Sequence, residues 1–412
     1  MLLWVALKRS TLLIVLNLVA AITYLVVVWT SGSFAHVQTS VFSSPDSREY
    51  RAVGDWILGG PWTHAVAWRP FLFPLLIGLA ERIGGIPGVW VLNLLLWFAT
   101  LNLAALATYR FVKSNWAAAF VFLVLAFNVS LILLSFEGLT ELTVVALLAM
   151  WAYGLSHLTT RPTPSQLAWA LLPVALLVVV KPEFEALLGV VAVVLVIGIF
   201  RSHTRRLAAV VFAACLVPIV IQLAVMVHFN GYFGISMIGD RTLRGYYLAR
   251  LVLAITHTND LNAARTQTVG LSNVEAARLV IDHLGRAVQV FLSTLKENLL
   301  AGSSFLGGLH PRVQSVVTTT QLVFFIVLMV MIPLVAVALW RARDGRLALL
   351  CIAALNIFFA GGLTFRQGDR ITIVALPIWL IALVLAFREA GGFELPRSVT
   401  SRVGSPPTPT SP

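Results

Sequence analysis

TLLIVLNLVAAITYLVVVWT, residues Thr11 to Thr30, is the stretch that decides the fold. It carries no charged side chain, and as a helix rising about 1.5 Å per residue it reaches roughly 30 Å, the thickness of a bilayer's hydrocarbon core. Lys8 and Arg9 precede it, which raises the alternative of a cleaved secretory leader. The apolar run exceeds the roughly 7–15 residues of a leader's core, so the reading adopted is a retained membrane helix with a cytoplasmic N-terminus. Trp116 to Leu134 is a second run of this kind, and neither alternates with the period of two expected of a barrel strand.

The rest of the chain has the same character. Of 412 residues 59% are hydrophobic and 11% charged, with a mean hydropathy of +0.91, where soluble domains carry about 25% charged residues. The apolar excess must face lipid. The formal net charge of +12 does not point to nucleic acid, because the Lys and Arg residues are scattered at helix ends and form no single basic face. Lipid headgroups and the positive bias of cytoplasmic loops account for it. Cys215 and Cys351 each lie in an apolar run, which argues against a disulfide, a metal cluster or a thiol nucleophile.

The expected fold is an all-α polytopic transmembrane bundle of about ten or eleven membrane segments, with amphipathic helices in its outer loops. Crossings are read at about 11–30, 116–135, 139–158, 166–181, 184–200, 207–228, 316–340, 346–363 and 371–387, with two further apolar stretches at about 71–82 and 88–109. Lys8/Arg9, Arg110/Lys113, Arg161, Arg201/Arg205/Arg206, Arg341/Arg343/Arg346 and Arg388 all mark cytoplasmic ends if 70–109 crosses an odd number of times. One of its stretches is then short, tilted or re-entrant. Residues 1–388 form the bundle with outer loops 31–70 and 229–315, and 389–412, rich in Pro, Ser and Thr, reads as a disordered cytoplasmic tail. In the long loop, Ser272 and Glu275 have capping-box spacing, and Val274, Ala277, Val280, Leu284, Val288, Phe291, Leu295 and Leu299 continue at helical spacing. That helix lies either at the outer interface or against the bundle.

With this parity nearly every acidic residue near an apolar run falls on the outer face. The most informative segment is Pro45 to Glu81, PDSREYRAVGDWILGGPWTHAVAWRPFLFPLLIGLAE. Asp46, Tyr50, a turn ending in Gly59-Gly60, then Arg69-Pro70 and Pro74 follow in order. This resembles the opening module of type C (GT-C) glycosyltransferases that use lipid-linked sugars, the protein O-mannosyltransferase and lipid A aminoarabinose transferase group. Phe71 departs from that group's second proline. Later echoes are SFEGLTE with Glu137 and Glu141, KPE with Lys181 and Glu183, and FRQGDR with Arg366 and Arg370. Lys181 stands where the family usually has Arg.

The resemblance implies an inverting transfer of a sugar from a polyprenyl-phosphate donor to a hydroxyl of a glycan, lipid or protein acceptor, at the outer face of the inner (plasma) membrane. Independently, such chemistry needs a carboxylate to take the proton of the attacking hydroxyl, a role worth about 10²–10⁴ in rate. Asp46 is the candidate; its alternative role is to cap the helix that starts at Ser44-Pro45-Asp46-Ser47. Arg366 and Arg370, with Arg69 and Lys181, are candidates for holding the phosphate, since guanidinium forks suit phosphate oxygens; the competing reading is snorkelling to headgroups. Glu141 and Glu183, and less so Glu137, are candidates for binding sugar hydroxyls, or else close a salt bridge with Lys181. His36, His64, His228, His257, His283 and His310 lack metal-ligand spacing, so no zinc and no cofactor are expected, an acidic pair holding a divalent ion being the alternative left open. Trp56 and Trp62 are candidates for sugar stacking, where the other Trp residues near helix ends read as interfacial anchors. Two other function classes stay open: a transporter or flippase of lipid-linked glycans, and a non-catalytic envelope-assembly protein. A transporter should show paired midplane charges or repeated halves, and the sequence has neither.

Overall fold

A computed structural model of the protein describes residues 2–33, 37, 41–300, 311–342, 344–364, 368 and 370–390, all helix and turn with no strand among them. In chain order the first helices are α1 (Leu2–Ser31), α2 (Pro45–Ile57), α3 (Leu72–Val112), α4 (Asn115–Ala126), α5 (Val129–Leu133), α6 (Glu141–His157), α7 (Pro164–Val178), α8 (Glu185–Arg201), α9 (Arg205–Cys215) and α10 (Val217–Asn230). The region after them holds α11 (Ile238–Thr242), α12 (Ala249–Thr256), α13 (Leu261–Val269), α14 (Asn273–Asp282) and α15 (Leu284–Leu300). Three helices close the bundle, α16 (Pro311–Ala342), α17 (Gly345–Leu363) and α18 (Arg370–Glu389). Most of the tail lies outside the described residues.

The chain is a multi-pass membrane protein. Among the described residues five helical stretches are long and apolar enough to cross a bilayer, or six if α4 and α5, bent by 60°, count as one broken span. The run 139–158 becomes a helix of 17 residues and 166–181 one of 15, both shorter than a straight crossing requires. The run 207–228 is interrupted at Leu216, because Pro218 has no N–H to continue the ladder and restarts a helix instead.

The region 70–109 resolves through one residue. Gly85 has φ 64° and ψ −160°, outside the helical region and in a conformation only glycine adopts readily, so the two arms of α3 fold against each other there. A Cβ on Gly88 would stand 2.2 Å from the Ala80 carbonyl oxygen, whereas eight residues of straight helix would separate them by about 12 Å. The first arm carries α2 on its side. Gly54 and Gly78 allow that approach, since a Cβ on Gly54 would meet the Pro74 carbonyl oxygen at 2.5 Å. The first arm of α3 is short and the second long.

Polar groups pin the second arm. Asn102 and Asn17 exchange side-chain hydrogen bonds of 3.0 and 2.9 Å, Trp90 donates to the Tyr24 hydroxyl at 2.8 Å, and Asn93 donates to the carbonyls of Ser135 and Glu137. Among apolar side chains such bonds fix helix register, because the alternative is an unsatisfied group in hydrocarbon. The capping box at Ser272 and Glu275 is formed, but the helix read through Leu299 breaks at His283, which leaves the helical region at φ −123° and ψ 34°. Of the two placements left open, α15 takes the one against the bundle. Phe291 packs on Phe359 with ring centroids 5.4 Å apart, and Asn298 donates to the carbonyls of Gly361 and Thr364.

Candidate functional site

At the start of α2 the capping role weighed for Asp46 falls to another residue. The Ser44 side chain accepts from the Ser47 N–H and is the cap. The Asp46 carboxylate is left to point away, into a cavity of about 850 Å³. Its position depends on α2 lying on α3, and that of its main partner on a tight corner. Pro70 keeps Arg69 out of the following helix, while the N–H of Phe71 donates to the buried Gln222 of α10 at 3.1 Å. Gln222 in turn donates to the Ile235 carbonyl at 2.7 Å. A proline at 71 would have had no N–H to satisfy, so Phe71 and Gln222 answer each other.

Seven charged groups alternate in sign along the cavity wall. Glu49 accepts from Arg69 Nε at 2.8 Å; Arg69 also pairs with Asp46 Oδ1; Asp46 Oδ2 lies 3.6 Å from Arg370 Nη1. Arg370 Nε donates to Glu141 Oε1 at 2.8 Å, Lys181 Nζ lies 3.6 Å from the same oxygen, and Glu183 ends the series at 3.3 Å from Lys181. Glu141 is 1% exposed and Arg370 4% exposed, so this central pair is fully removed from water. Tyr50 lies beneath Arg69, its ring centroid 4.6 Å from the guanidinium carbon and its hydroxyl accepting at 3.3 Å.

Burial pushes the Asp46 carboxyl up, but Arg69 and then Arg370 outweigh it and hold the group below the usual carboxylate range. Asp46 is thus ionised at neutral pH, as a base must be, though its lone pairs are shared with two cations. Glu137 behaves oppositely. It is buried in the turn between α5 and α6 with one carboxylate oxygen lacking a hydrogen-bond partner, and burial pushes its carboxyl up to about 8 against the pull of Arg370.

Of the residues expected from the sequence, Asp46, Arg69, Glu141, Lys181, Glu183 and Arg370 all line the one cavity. Glu137 does not, and Arg366 lies outside the described residues. Glu49 was missed, though it sits three residues after Asp46 and therefore on the same helix face. Tyr232, Arg241 and Tyr246 also line the cavity and were missed because the segment that holds them has no motif. Its placement comes from Ser236, which donates to the Trp68 carbonyl at 2.8 Å, and from the Met237 N–H, which donates to Ala67. Trp56 and Trp62 pack with Phe229 in an aromatic group of their own and do not line the cavity. Among the described residues no group of three or more His, Cys, Asp and Glu is gathered in a way that could hold a metal ion.

No family model matches the chain, and no curated protein does. Two solved structures are similar to it. The first is the crystal structure of ArnT from Cupriavidus metallidurans bound to undecaprenyl phosphate, with 13% identity and a TM-score of 0.42 over 92% of this chain and 77% of that one. The second is the same protein in the apo state, with 12% identity and a TM-score of 0.40 over 93% and 78%. ArnT is a lipid A aminoarabinose transferase of the GT-C fold, the group that the Pro45–Glu81 module resembles. A likeness at this level assigns neither an activity nor a residue role to this chain.

Proposed function

We propose that the protein is a glycosyltransferase that moves a sugar from a polyprenyl-phosphate donor to a hydroxyl acceptor, with the cavity on the outer face of the plasma membrane. The observation that carries this reading is the convergence of Asp46 and Arg69, Lys181 and Arg370, from three separate parts of the chain, on one cavity at the ends of apolar helices. A donor of this class has a tail that stays in lipid and a phosphate that sits at the boundary, and guanidinium groups there match its oxygens.

In the reaction, Asp46 takes the proton of the acceptor hydroxyl as that oxygen attacks the anomeric carbon, and the bond from that carbon to the phosphate oxygen breaks. Arg370, Arg69 and Lys181 hold the departing phosphate and disperse the charge it gains. Glu141 and Glu183 orient these cations and offer acceptors to sugar hydroxyls. Since Arg69 and Arg370 already neutralise Asp46, an arriving phosphate draws them away and leaves Asp46 a stronger base. Donor binding thereby switches the base on.

The test is release of polyprenyl phosphate from a panel of polyprenyl-phosphate sugars in membranes containing the protein, against Asp46→Asn at equal expression. Release by the wild type, reduced about 10²–10⁴-fold in the variant, is expected. Release that is equal in the two removes Asp46 from the mechanism.

A further inference from the structure

The other end of α8 carries a second cavity, of about 700 Å³, that the proposed transfer does not use. Its wall is made by Thr160 and Arg161 from the α6–α7 connection and by Phe200, Arg201, His203 and Arg205 around the α8–α9 connection. The three arginines are exposed, and no Asp or Glu lines the cavity. Among the described residues none of the three is in an ion pair with a carboxylate. The sequence keeps acids away from it, with none between Glu141 and Glu183 or between Glu185 and Asp240.

The position is as informative as the charge. Arg201 ends the candidate span Pro182–Arg201 and Arg205 begins the candidate span Arg205–Asn230. The cavity therefore lies where the apolar zone stops, about 30 Å along the helix from Glu183. Phe200, 65% exposed, and Leu207, 57% exposed, flank the arginines on the hydrocarbon side. An arginine cluster between membrane helices with apolar side chains next to it fits a phosphodiester whose acyl chains stay in the bilayer.

We infer that this cavity is a binding site for the headgroup of an anionic phospholipid. Arg161, Arg201 and Arg205 donate to its phosphate oxygens, Thr160 adds a hydroxyl, and Phe200 contacts the start of the acyl chains. The inference is independent of the proposed transferase activity.

The full-length protein, purified in a neutral detergent, is titrated with phosphatidylglycerol, phosphatidylcholine and inorganic phosphate, and adducts are counted by native mass spectrometry. Phosphatidylglycerol is expected to bind, with affinity falling on the order of a hundredfold when Arg161, Arg201 and Arg205 are all replaced by Ala, about fivefold for each. Arg161→Ala alone, in a connection where its side chain holds no ion pair, gives the fivefold step should the triple variant not fold. Arg341→Ala, at an exposed basic helix end elsewhere, is expected to leave binding unchanged. Equal binding of phosphatidylcholine, equal occupancy by inorganic phosphate, or a loss in Arg341→Ala as large as in Arg161→Ala would each overturn the assignment.

Discussion

At the corner leading into α8, Lys181 and Glu183 end a series of charges in which each cation has a carboxylate beside it; at the far end of the same helix, Arg201 shares a cavity with Arg161 and Arg205 and no carboxylate. Both ends are polar, but they differ in what water does for them. Glu141 and Arg370 have lost their hydration and depend on each other for their ionised forms, so their geometry is fixed by the fold. The arginines at the opposite end keep water as a partner, and the fold would stand without them. Buried pairing thus fixes the charges at one end of α8, while the unpaired arginines at the other are open to an anion from outside.

The largest expected effect that would break this contrast is on stability. Glu141→Ala leaves Arg370 buried with its closest partner removed and should cost about 3–5 kcal/mol, measured as a large fall in the thermal midpoint in detergent. A midpoint within a degree or two of wild type would mean that water reaches Arg370 freely.

Glu137 sharpens the comparison through pH. Its carboxyl is raised from 4.5 to about 8, so the folded protein holds that proton more tightly than the unfolded chain does. The associated stability is fully present below pH 4.5 and is lost as pH rises toward 8, flattening above it. Glu137→Gln resembles the protonated form, so its thermal midpoint relative to wild type should climb across that window. A difference constant from pH 5 to 9 would count against a raised carboxyl.

A smaller effect is expected at the corner that holds Arg69. Phe71 has φ −70°, which proline tolerates, so Phe71→Pro mainly strands the Gln222 oxygen at a cost of about 1–3 kcal/mol. Gln222→Met should then cost less in the Phe71→Pro background than in the wild type, because only the bond to the Ile235 carbonyl remains to be lost, and equal costs in chemical or thermal unfolding would deny the coupling. The smallest effect belongs to the opposite end: Arg161→Ala should alter stability by less than about 0.5 kcal/mol.

How far the sequence reached follows the same division. Apolar runs gave the membrane character, since length and composition alone decide it, and the Asp46 and Arg69 module could be placed because its elements are close in the chain. The pairing of Arg370 with Glu141 joins positions 229 apart, and no local spacing encodes that. Breaks inside the runs could not be seen, because Gly85, Leu216 and the bend between α4 and α5 turn on backbone geometry that hydropathy ignores. The partner of the Phe71 N–H, Gln222, sits 151 residues away.

In the proposed transfer, Asp46 and the donor phosphate compete for the same two arginines. Equilibrium binding of undecaprenyl phosphate to the purified wild-type protein and to Asp46→Asn, measured side by side, tests this most directly. Removing the carboxylate takes one competitor from Arg69 and Arg370, so the variant should bind the lipid several-fold more tightly. Binding that is weaker in the variant, or the same in both, would show that the phosphate does not sit where these cations meet.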